Sequence, residues 1–203
     1  MRLTAIALSF IIAFAHAAIA QDGPKLSSGA VQASKDFTGY LDKTAAAKAK
    51  PDFAAPPAAP LFAKIFDTKA LASLPTPTAK DLSWTSEWLG ASATSYMAMI
   101  NFGTNPQASD YQKVLEDNVQ RYEDEISNAM TFMLRLMPRV SIAARAFMQS
   151  LSTPERNQPA RQQGFKNIRD GYMQTVSGAS SFVAGGVKNP NARLVARALR
   201  DTV

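Results

Sequence analysis

The side chains able to do chemistry here are carboxylates, thioethers and guanidinium groups. The chain has 203 residues, no cysteine, and a single histidine, His16, inside a segment that reads as a removable leader. Without thiol or imidazole, the mature chain is closed to thiol redox chemistry, haem attachment, and Ser-His-Asp or Cys-His catalysis. The di-metal sites of helical bundles need Glu-x-x-His, so ferritin-like iron chemistry is excluded as well. No lysine has a serine or threonine three residues before it, which removes the Ser-x-x-Lys arrangement.

An enzyme built from this sequence would need a glutamate of raised pKa, as in cell-wall glycoside cleavage. The candidates are Glu87, Glu116, Glu123, Glu125 and Glu155. Glu87, between Trp84 and Trp88, has the most sugar-friendly neighbours. It lacks the following serine and the glycine-rich aromatic motif of lytic transglycosylases, so a solvated helical glutamate is the expected role. Glu116, Asp117, Glu123, Asp124 and Glu125 cluster around Arg121 and read as a salt-bridged face, not a calcium site. Met130, Met133 and Met137, with Met97 and Met99, would suit Cu(I). Their place on the apolar stripe makes them flexible core filler instead. The sequence therefore predicts no catalytic residue, no metal site and no cofactor.

Two patterns suggest contact surfaces. Arg193, Arg197 and Arg200 fall on one face of a final helix and form a candidate anion-contact face, although the macrodipole alone favours cations near a helix C-terminus. Gly164, Gly171, Gly178 and Gly185 recur every seven residues, interleaved with Ile168, Thr175 and Phe182. Each interior glycine costs a helix about 0.5–1 kcal/mol relative to alanine. A helix-packing seam within the domain is the leading explanation. Self-association through the seam and a groove for an elongated apolar ligand are the alternatives.

The elements that must position these residues begin with a leader. Arg2, the uncharged apolar run Leu3 to Phe14, and Ala18-Ile19-Ala20 have the form of a secretory signal, predicting a mature chain from Gln21. No later apolar run is long enough for a transmembrane span, because Arg135, Arg139 and Arg145 interrupt the greasiest stretch. The expected location is periplasmic or secreted, in a bacterial envelope.

Charge is unevenly spread. Residues 21–125 hold ten Lys/Arg against thirteen Asp/Glu, whereas residues 126–203 hold eleven against three. The basic half can pack against the acidic half. It can also meet an envelope protein or an anionic polymer or lipid surface. Nucleic acid is not expected for an exported chain without a binding motif.

Apolar spacing of three and four residues recurs and strand alternation does not, so the fold class is all-α: a bundle of four to five helices preceded by a signal peptide and a Pro/Ala-rich linker. Residues 60–203 are expected to form the bundle, and 21–59 a weakly structured segment with a helix of thin apolar pattern over 28–50 (Val31, Phe37, Leu41, Ala45) and the Pro/Ala linker at 50–60. Helices are predicted over 60–73, over 79–102 from a capping box at Thr78, and as one long stripe from Asn105-Pro106 to Leu151, kinked at Pro138. Further starts are predicted at Thr153-Pro154, after Pro159, and at Asn189-Pro190. The function expected is that of an exported, non-enzymatic interaction or scaffold protein. A carrier of a lipid or other apolar ligand held between helices is the alternative, and a glutamate-dependent cell-wall hydrolase the third.

Overall fold

Every regular element among the described residues is helical. The computed structural model describes residues 3–184, 190, 193, 194 and 197, with side chains from 22 to 171 and at a few later positions. In order these are α1 (Leu3–Ala46), α2 (Ala58–Ile65), α3 (Thr68–Ser73), a 3₁₀ turn (Ala79–Asp81), α4 (Leu82–Ile100), α5 (Tyr111–Arg121), α6 (Glu123–Ser150), α7 (Thr153–Arg156) and α8 (Pro159–Ala184). Helix α4 is central: α1, α6 and α8 all pack against it, and α2 covers the far part of α1.

The expectation that 21–59 lies outside the bundle is corrected. Ser27, Ala30, Ala33, Ser34, Phe37 and Leu41 of α1 are buried. What joins α1 to α4 is small side chains, which let two backbones approach closely. Ser34 Oγ donates to the carbonyl of Ala91 at 3.0 Å and accepts from Ser95 Oγ at 2.8 Å. At Gly23 a Cβ would stand 2.8 Å from the Trp84 ring, so only glycine fits there without a shift. The thin apolar pattern of α1 conceals this, because serine and glycine do not register as core in a hydrophobicity count.

Nor is the Pro/Ala segment a free spacer. Pro51 and Phe53 are buried, and the Phe53 ring lies 5.6 Å from Phe37 and edge-on to Tyr122 at 4.8 Å. The Asp52 backbone N–H donates to Tyr40 Oη at 3.2 Å. By Ala58 the chain is already helical.

The predicted 60–73 helix is two helices. They part at Phe66 and Asp67, where the Asp67 carboxylate caps α3 by accepting from the Ala70 N–H at 2.8 Å. The Thr78–Asp81 capping box is present and opens the 3₁₀ turn that leads into α4. Asp81 also accepts from Trp84 Nε1 at 2.8 Å. Burial alone would raise the Asp81 pKa, but the Thr78 and Trp84 donors together hold it below the ordinary carboxylate value.

The long stripe is likewise divided. Asn105-Pro106 makes a turn instead of starting a helix: the Asn105 side chain accepts from the Gln107 N–H at 3.0 Å and its carbonyl from the Ala108 N–H at 2.9 Å. Helix α5 begins only at Tyr111, and Tyr122 (φ −109°, ψ 32°) separates it from α6. Asn118 ties α5 to the end of α4: its buried amide donates to the carbonyls of Ile100, the last residue of α4, and of Phe102 just beyond it. The acidic cluster finds its role here. Glu123, Asp124 and Glu125 fill the first turn of α6, where negative charge complements the helix dipole. Helix α6 continues through Pro138. The Thr153-Pro154 start is a four-residue helix capped one position earlier, by Ser152 with Glu155.

Ile126, Ala129, Met130, Phe132, Met133, Leu136, Met137 and Val140 are fully buried, so the methionine stripe fills the core. Trp88 is buried beside Phe132, ring centroids 5.3 Å apart, and its Nε1 donates to the Ile65 carbonyl at 2.8 Å. Arg139 ties the 74–78 loop to α6 through two 2.7 Å bonds, to the carbonyls of Leu74 and Pro75. Partial burial lowers its pKa from the ordinary guanidinium value. Replacing Arg139 with methionine keeps the stem but leaves both carbonyls without their charged donor. The expected cost is about 1–2 kcal/mol, read as a lowered urea midpoint at unchanged slope.

Candidate functional site

A recess among the described residues lies between α4 and α8. It is a groove of about 490 Å³ whose lining includes Leu82, Ser86, Leu89 and Gly90 of α4, Phe147 of α6, and Arg161, Gly164, Phe165, Ile168 and Gly171 of α8. Its geometry follows from how the two helices meet. Gly178 is buried, and a Cβ there would run into Tyr96 Cε1, with Met97 Sδ at 3.2 Å. Low-numbered residues of both helices line the groove while Tyr96 and Gly178 touch farther along, so α4 and α8 run in the same direction and converge. The groove is the wedge left where they splay.

This divides the glycine seam, and close packing along its whole length is corrected. Gly178 is a packing glycine. A Cβ at Gly164 or Gly171, and equally at Gly90 across the gap, would meet nothing within 4 Å. Those three line the open wedge, so in this stretch the missing side chains widen a groove where a seam was expected. Gly185 lies outside the described residues, as does the Asn189-Pro190 start.

The polar side chains of the lining are Ser83, Ser86 and Glu87 on α4 and Arg161 and Asn167 on α8. Ser86 Oγ is buried and has no hydrogen-bond partner among the described residues. Glu87 is on the exposed side of α4, where it accepts from Ser83 Oγ at 3.0 Å. It is not a buried acid at the foot of a cleft. Arg161 lies with its guanidinium carbon 5.5 Å from the centre of the Phe147 ring, and its Nε donates to Gln158 Oε1 at 3.1 Å. Phe165 packs against the same ring at 6.2 Å. Deeper along the wedge, Tyr96 is buried with its hydroxyl unpartnered among the described residues, and burial pushes its pKa far up.

Of the remaining glutamates, Glu123 and Glu125 lie in the first turn of α6, and Glu116 on α5 accepts from Gln112 Nε2 at 3.0 Å. Glu155 is exposed to solvent and held below its ordinary pKa, first by the Ser152 hydroxyl and then by the Ser152 backbone N–H. Among the described residues no cluster of three or more acidic or histidine side chains could hold a metal ion. No helix there is long and apolar enough to cross a membrane. Arg193 and Arg197 of the anion-contact candidate are exposed, and Arg200 lies outside the described residues. Sequence reasoning missed Phe147, Arg161 and Phe165 as a group. The available signal was the heptad glycines themselves, with Gly90 as their counterpart on α4.

No protein-family model matches the chain, and no curated protein or solved structure matches it either.

Proposed function

We propose that this chain is an exported, non-enzymatic helical interaction protein of the bacterial envelope, periplasmic or secreted, which engages its target through the α4–α8 groove. The observation that carries the reading is an open recess whose aromatic and aliphatic side chains, Leu82, Leu89, Phe147, Phe165 and Ile168, stand beside Arg161 and Glu87 as its only charged groups among the described residues. Such a surface holds a ligand by burial and offers no poised acid or base. The size of the groove also favours the second reading, a carrier of an apolar ligand, because pockets for small molecules occupy about 300–1,000 Å³.

Export has support beyond the leader's composition. Pro24 falls inside α1. In a helix interior proline lacks the needed N–H and crowds the carbonyl four residues back, at a cost of about 3 kcal/mol. A chain starting at Gln21 has no residue 20, and it places Pro24 in the first turn, where its missing N–H costs nothing. Mass spectrometry of the fractionated protein tests this. The expected result is an N-terminus at Gln21 in the soluble envelope or secreted fraction, and an intact Met1 in the cytosol would overturn it.

A further inference from the structure

We infer that the α4–α8 groove takes a free single-chain amphiphile with an anionic head group, of the fatty-acid class. Its chain lies in the glycine-lined wedge, and its carboxylate meets Arg161. The inference rests on the groove being the chain's binding feature and names what that feature holds.

Length and closure favour a small molecule. The α4 wall from Leu82 to Gly90 spans about 12 Å at the helical rise per residue, and the wedge then ends where Tyr96 meets Gly178. A partner helix of several turns has no room to lie along it, whereas an alkyl chain does. Leu82, Leu89, Phe147, Phe165 and Ile168 supply the apolar contact, and Gly90, Gly164 and Gly171 leave the space between them.

Charge selects the head group. Arg161 sits in the first turn of α8, where the helix dipole disfavours a cation, so helix stability does not account for it. Phe147 holds its guanidinium at the groove, and no carboxylate among the described residues forms an ion pair with it. Glu155 is near enough to feel its charge, but its carboxylate already accepts from the Ser152 hydroxyl and N–H. Glu87, the acidic residue of the lining, is exposed and accepts from Ser83.

Calorimetric titration of the full chain, with whichever N-terminus the cell leaves on it, tests the inference independently of export. The ligands are octanoate, decanoate, dodecanoate, dodecanol and dodecyltrimethylammonium, each below its aggregation threshold. Dodecanoate is expected to bind one to one. Affinity should rise roughly fourfold per added CH₂ until the wedge is filled. Dodecanol should bind about tenfold more weakly, the difference shrinking at high salt and vanishing in Arg161→Gln. The Gly90→Leu/Gly164→Leu variant has open space at both positions, so it should fold and lose binding. Dodecanoate binding that survives in this folded variant would overturn the site. Equal binding of dodecanoate and dodecanol by the wild type, or preference for the quaternary ammonium, would overturn the head-group assignment. No amphiphile binding, with groove filling changing the oligomeric state instead, would make a second copy of the chain the occupant and overturn the inference.

Discussion

Replacing Trp88 with alanine is expected to destabilise the fold by about 3–5 kcal/mol, the range for truncating a large buried aromatic. Trp88 is fully buried on α4, against Phe132 of α6 and Trp84 of its own helix. Its indole N–H also satisfies the carbonyl of Ile65 at the end of α2. Truncation therefore opens a cavity where three helices meet and leaves a buried acceptor unpaired. Phenylalanine at the same position keeps most of the volume and loses the donor, so its cost should fall to about 1–2 kcal/mol. Urea denaturation of both variants, compared at unchanged slope, measures the difference. Equal losses for the two would show that the hydrogen bond dominates and that the packing assignment is wrong.

The second large effect is a change of sign along one helix. Gly178→Ala is expected to destabilise by about 1–3 kcal/mol, because the added methyl group meets the ring of a buried tyrosine that has little room to move. Gly171→Ala, two turns earlier, is expected to stabilise by about 1 kcal/mol, since the site is open and alanine is the better helix former. Leucine widens the contrast at Gly178. Shrinking Tyr96 to leucine should reduce the penalty of Gly178→Ala, a coupling that a double-mutant cycle reads directly. If both alanine variants raised the denaturation midpoint, α8 would not be packed on α4 at Gly178, and the wedge would lose its closed end.

Fold class and most helix positions are legible in the chain because they depend on local rules. The three-and-four spacing of apolar residues, the Thr78–Asp81 capping box and the glycine heptads are short-range signals, and the elements they mark lie near where they point. The absence of cysteine, and of histidine beyond His16, bounded the chemistry for the same reason: composition needs no coordinates.

Tertiary structure decided what local rules leave open. The apolar stripe continues in phase through Tyr122, yet the helix breaks there because the Asn118 amide is drawn to the carbonyls ending α4, and the Tyr122 ring to Phe53. The segment before residue 60 reads from its sequence as weakly structured. Beside Phe37 and Leu41 its buried face carries alanine and serine, with Gly23 against Trp84; the value of these small residues lies in how closely a partner helix can approach, and a hydrophobicity pattern does not record that. The glycine heptad shows the same limit most clearly. A glycine lets a neighbour come close and also leaves space when no neighbour comes. Whether Gly164 and Gly171 face a helix or a groove is set by the splay of α4 and α8, an angle fixed by contacts far away in the chain.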